Sequence, residues 1–143
     1  MSNSLVGHAA GKAVRSGARR LLILAAGLAV AAVTAAPLPP AAKVEIDLLM
    51  SRLEASGCQF HRNGGWYAAA EAKTHLLRKL EYLEDRGAVS SAEQFIELAA
   101  SSSSVTGQPY LVRCGNDAPV PSGKWLLGQL QAVRAAARGT GAR

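Results

Sequence analysis

Glu71 and His75 lie four residues apart, a spacing that brings two side chains together on one face of a helix. A carboxylate and an imidazole so placed can share a hydrogen bond, exchange a proton or supply two ligands to a metal. They sit in the densest stretch of the chain, CQFHRNGGWYAAAEAKTH, residues 58–75. That stretch also carries Arg62, Trp66 and Tyr67, and a later strand adds Tyr110. Aromatic rings beside an arginine at a polar-rimmed spot form a common recognition surface. Arg62, Trp66, Tyr67, Glu71, His75 and Tyr110 are therefore the candidate binding surface.

Other chemistries find less support. A metal site needs three or four ligands. His61 would be the third, but strand alternation turns it away from Phe60 and Arg62, so neither a metal nor a cofactor is expected. The run Ser101–Ser104 suggests a nucleophile, yet no G-x-S-x-G elbow is present and the only nearby bases are His61 and His75. These serines suit the open carbonyls at a helix C-terminus. The expected class is a non-enzymatic binding or accessory protein. The alternatives are a small hydrolase or transferase using Glu71 and His75 as acid and base, and a structural component of an assembly.

The positioning elements follow from periodicity and cysteine count. Ile46, Leu49, Met50 and Leu53 form one helical stripe, closed by Ser56-Gly57. A second helix is expected from about Trp66 to Arg86, with Asn63-Gly64-Gly65 turning the chain into it. Ser90 with Glu93, or Ser91 with Gln94, fits a capping box that opens a third helix. Phe95, Leu98 and Ala99 are expected to face inward from it, with Ile96 broadening the face. A fourth helix begins near Ser122 or Lys124 and carries Leu126, Leu130, Val133 and Ala137. CQFHR and YLVRC read as strands. Cys58 opens one and Cys114 closes the other, and a disulfide between them sets an antiparallel ladder in which paired residue numbers sum to 172. Phe60 then faces Val112, and Arg62 faces Tyr110. The fold class is α+β, mainly α: about four helices on a short two-stranded antiparallel ribbon with one disulfide.

The ends of the chain speak to location. Lys12, Arg15, Arg19 and Arg20 precede an apolar run of 16 residues, Leu21 to Ala36, which ends in small residues before Pro37. This reads as a cleavable signal peptide over residues 1–36, since roughly 20 apolar residues are needed to cross a bilayer. The run could instead remain as an anchor in the inner membrane; contact with the membrane is expected only through it. Residues 37–43 read as a Pro/Ala-rich linker, 44–137 as one domain and 138–143 as a disordered tail. Removing the first 36 residues takes four basic side chains, so 16 Lys+Arg against 10 Asp+Glu becomes 12 against 10, a net charge of +2. Nucleic-acid binding needs a concentrated basic face, and residues 37–134 hold 10 basic and 10 acidic side chains. The partner is expected to be an envelope protein or a small ligand, not nucleic acid. Two cysteines after an export signal read as one disulfide.

The blocks RNGGWYAAAEAKTHLLRKLEYL, SAEQFIELAASSSSVTGQPYLVRC and KWLLGQL resemble the YfeK-like family of small exported bacterial proteins, a domain of unknown function. The likeness covers roughly residues 44 to 134. It implies a periplasmic location and a mainly helical domain, and brings no activity with it.

Overall fold

The structure, a computed structural model, describes residues 36–141. The expected signal segment, save its last residue, lies outside the described residues, as do residues 142–143. Among the described residues, no helix is long and apolar enough to cross a membrane. The fold is α+β and mainly α. Helix α1 spans Pro40–Ala55, α2 Ala69–Glu84, and α4 Ser122–Thr140. Helix α3, Ala92–Phe95, widens into a π-helical turn over Ile96–Ala100. The strands are β1 Gln59–Arg62, β2 Gly65–Ala68, β3 Leu111–Arg113 and β4 Val120–Pro121, in one antiparallel sheet of order β2-β1-β3-β4.

The centre of this sheet is the expected ladder. Gln59 pairs with Arg113, Phe60 with Val112 and His61 with Leu111. Each pair sums to 172. Cys58 and Cys114 are disulfide-bonded at the end of the ladder with Cα atoms 4.3 Å apart. That separation suits a non-hydrogen-bonded antiparallel pair. Cys58 is buried and Cys114 half-buried. Both border a surface hollow shared with Arg52, Ser56, Trp125 and Gln129.

The ribbon is wider than expected, with four strands rather than two. Asn63 and Gly64 both have positive φ, 46° and 83°. This is the geometry of a two-residue hairpin turn whose twist matches that of its flanking strands. The chain therefore doubles back as β2, and the helix expected from Trp66 starts at Ala69. Val120 and Pro121 add a short fourth strand at the edge, where proline's missing N–H costs no ladder bond.

Helix boundaries follow local chemistry. Pro40 occupies the first turn of α1, where its missing donor is tolerated, so α1 begins inside the expected linker. Helix α4 continues to Thr140, into the expected tail. Ser91 Oγ accepts from Gln94 N at 3.1 Å, while Gln94 Oε1 accepts from Ser90 N at 2.8 Å. The reciprocal cap is thus spread over three residues rather than two. Leu98, expected to face inward, is exposed; the buried face is Ala92, Phe95, Ile96, Ala99 and Ala100. A helix with three alanines on its inner face can approach its neighbours closely, and the larger Leu98 lies off that stripe.

The core is built from Ile46, Leu49, Met50 and Leu53 of α1, Leu76 and Leu80 of α2, Phe95 and Ile96, and Leu126 and Leu130 of α4. Phe60 and Val112 close it from the sheet. Each such side chain contributes roughly 1.5–3 kcal/mol on burial. Phe60 meets Trp125 edge-on, with centroids 5.6 Å apart. Arg134 of α4 forks onto both oxygens of Glu45, at 2.8 Å each, and also reaches Glu93, tying α4 to α1 and α3.

Two joints hold the segment that precedes β3. Ser101 Oγ donates to the Ile96 carbonyl at 2.8 Å, closing the wide turn. Gly123 lies so close that a Cβ there would collide with the Ser101 hydroxyl.

Two stability outcomes follow. Reducing the disulfide, which closes a loop with a sequence separation of 56 residues, lowers the free energy of unfolding by about 4 kcal/mol. Urea titrations of the oxidised and reduced chain measure this; coincident midpoints would contradict the bridge's role. Gly123→Ala displaces Ser101 from its carbonyl and costs about 1–3 kcal/mol in the same titration. Gly128→Ala, where a Cβ meets nothing within 4 Å, is the control and does not destabilise.

Candidate functional site

The hairpin decides which side chains meet. Alternation along β2 places Trp66 and Tyr67 on opposite faces. Tyr67 pairs with Phe60, which pairs with Val112, on the face toward the core. Trp66 pairs with His61 on the other face. The candidate surface is therefore split.

On the inner side, Arg62, Tyr67, His75 and Tyr110 line one small cavity with Phe60, Leu76 and Ser122, and His61 also borders it. Its volume is about 20 Å³, room for one water-sized group. The Arg62 guanidinium stacks on the Tyr67 ring, 4.4 Å from its centroid. Tyr110 instead carries Lys79, 5.2 Å from its centroid, and meets the edge of His75 at 6.4 Å. The expected facing of Arg62 and Tyr110 is thus corrected: the β1–β3 register ends at His61 and Leu111. Once β2 folds back beside β1, Tyr67 lies nearer to Arg62.

Backbone bonds hold Tyr110 in place. Its N–H donates to the Ser101 carbonyl and its carbonyl accepts from Ser122 N, both at 2.9 Å. Lys79 donates to the Ser102 carbonyl at 3.4 Å. His75 is placed by α2, one turn before Lys79, with Ala72 and Leu76 buried on either side of it.

Three buried nitrogens in this region have no hydrogen-bond partner among the described residues: His61 Nδ1, Arg62 Nε and His75 Nε2. Buried polar atoms are rarely left so, and each one invites a ligand or a bound water. Loss of solvent pushes the His75 imidazole down to about 4, and the nearby Arg62, Lys79 and Arg78 charges push the same way. His75 is therefore neutral at pH 7. Burial also lowers Lys79.

Glu71 does not join this group. It is exposed, and its Oε2 accepts from the Ala68 N–H at 3.2 Å, capping its own helix. The Glu71/His75 acid–base pair is not assembled. On the outer face, Trp66 lies between the His61 ring, at 5.1 Å, and the Arg113 guanidinium, at 4.3 Å. Arg113 is steadied by Gln59 Oε1, 2.6 Å from Nη2.

Sequence reasoning missed Phe60, Lys79 and Ser122 as members of the cavity region, and Arg113 as the partner of Trp66. Lys79 was within reach, being four residues beyond His75. Arg113 becomes visible only once the hairpin brings Trp66 beside the central ladder.

The His75 shift has a sign. The unfolded chain takes up a proton near pH 6.5, which the folded chain refuses until about pH 4. Stability is therefore complete above pH 6.5 and declines as the pH falls toward 4. The decline attributable to His75 is on the order of 1 kcal/mol, since solvent screens a half-exposed ring. Below that window, Glu45 and Glu93 lose the ion pairs with Arg134 that hold their carboxyls low, and stability falls further. Urea midpoints measured from pH 7.5 to 4 fall less steeply in His75→Gln than in the parent; parallel slopes would refute the assignment.

Comparison with known proteins identifies relatives without a known activity. Residues 40–134 match the family described as a family of unknown function, DUF5329. The chain is also 49% identical over 51 residues to the uncharacterized protein YfeK of Salmonella typhimurium strain LT2. That alignment covers 36% of this chain and 41% of the relative, so it spans under half of either. No solved structure matches. The YfeK-like resemblance and the match across the whole of the described core agree, and the chain belongs to the DUF5329 family.

Proposed function

We propose that this is an exported, non-enzymatic binding protein of the bacterial envelope, and that its ligand enters the inner cradle of Arg62, Tyr67, His75 and Tyr110. The observation that carries the reading is the convergence of Arg62 and His75, each with a buried unpartnered nitrogen, on one aromatic-walled cavity. A buried polar atom without a partner costs free energy that a ligand recovers. The alternative that uses Glu71 and His75 as acid and base loses its carboxylate to the α2 cap. Export is supported by the leading basic-then-apolar segment and by a disulfide, which persists in oxidising compartments. The mature protein then acts in the periplasm or after secretion.

Because Trp66 and Tyr67 lie on opposite faces, they separate the two surfaces experimentally. Envelope extract passed over the immobilised oxidised full-length protein captures a component that Tyr67→Ala fails to retain and Trp66→Ala keeps. Mass spectrometry of the eluates reads the difference. Retention by both variants alike would remove the ligand from the inner cradle.

A further inference from the structure

The charges around the cradle are unbalanced. Arg62, Arg78 and Lys79 all act on His75. Ion pairs among the described residues join Lys43 to Asp47, Lys73 to Glu54, and Arg134 to Glu45 and Glu93. None includes Arg62, Arg78 or Lys79. Glu71, one turn before His75 on α2, is engaged at the helix start by the Ala68 N–H. A cavity lined by Arg62, with Lys79 nearby and neither in an ion pair among the described residues, and with the unpartnered nitrogens of Arg62 and His75 in its wall, is built for negative charge.

Its shape narrows the class. About 20 Å³ admits one oxygen-sized group, so the rest of a bound anion lies at the mouth of the cavity. Apolar surface from Phe60, Ala72, Leu76 and Ala100, with His61 and Ser122, completes the lining. The Arg62 guanidinium is fixed against Tyr67, which pre-orients its Nε edge. A planar carboxylate fits such an edge, one oxygen in the cavity and the other toward the Lys79 side. Neutral His75 can donate from Nε2 to the seated oxygen.

We infer that the inner cradle recognises a carboxylate, with Arg62 and His75 holding one oxygen and Lys79 supplying the neighbouring charge. This rests on the binding reading above and deepens it from an unspecified ligand to a carboxylate-bearing one.

The test uses the oxidised full-length chain, isotopically labelled, followed by nuclear magnetic resonance. Acetate, benzoate and inorganic phosphate are titrated separately at constant ionic strength, with chloride as the control. Acetate and benzoate are expected to shift the Arg62 Nε–H and His75 ring signals saturably. Arg62→Gln weakens the binding at least tenfold and Lys79→Gln by about threefold, whereas Trp66→Ala leaves it unchanged. The Lys79 variant keeps the test open if the Arg62 variant folds poorly. Saturable phosphate binding without carboxylate binding overturns the carboxylate assignment. Shifts that chloride reproduces overturn the anion site altogether. Capture from envelope extract that still depends on Tyr67 would, in that case, uphold the binding reading without the carboxylate.

Discussion

The covalent link between Cys58 and Cys114 determines which residues of β1 and β3 face one another. In a sheet, a slip of one residue would send every inward side chain outward. Here the slip is blocked by a bond rather than by packing alone. Phe60 and Val112 are thereby committed to the core, and His61 and Leu111 to the opposite face. The hairpin partner β2 inherits the same parity, which is why Tyr67 and not Trp66 reaches the cavity. Arg62, Tyr67, His75 and Tyr110 all fall between the two cysteines in the chain. The cross-link thus closes the loop from which most of the cradle is made, leaving only Ser122 of the cavity lining to come from beyond it.

The second constraint is local. The cradle depends on a short segment held by a dense set of hydrogen bonds. Ser101 closes the π-helical turn, Ser102 accepts from Lys79, and Tyr110 is pinned at both its N–H and its carbonyl. Ser103, buried, receives the N–H groups of Val105 and Thr106 at 3.3 and 3.2 Å. Four successive residues that could be mistaken for nucleophiles include three that act as connectors. Glu71 behaves in the same way: its charge belongs to the helix start, where an acidic side chain opposes the exposed N–H groups.

Much of this architecture was legible in the residues, and the exceptions are instructive. The β1–β3 register could be derived because a covalent pairing and a period of two leave one solution. The stripes of α1 and α4 were clear because Ile, Leu, Met and Val repeat at helical spacing. The β2 strand was hidden by its sequel. Tyr67, Glu71 and His75 stand four apart, and that accidental helical spacing crosses a real boundary at Ala68. Asn-Gly between two four-residue runs was the competing signal, and hairpin geometry won. Leu98 misled because leucine outweighs alanine in any hydropathy pattern, whereas close helix packing favours the smaller side chain. Four of the six candidate residues share one cavity. The other two are separated by strand alternation and by helix capping, neither of which a helical spacing rule can express.

The bridge itself is unevenly guarded. Cys58 is buried among apolar neighbours, with the Ser56 carbonyl oxygen 3.7 Å from its sulfur, whereas Cys114, half-buried, is the more open of the two at the hollow both border. An attacking thiolate reaches the Cys114 side more readily. That route requires Cys58 to depart as an anion in a setting that solvates it poorly, and thiol exchange slows when the leaving sulfur is disfavoured as a thiolate. The asymmetry makes the cross-link chemically slow to open from the direction in which it is easiest to touch, so its persistence is a matter of reaction rate as well as of equilibrium.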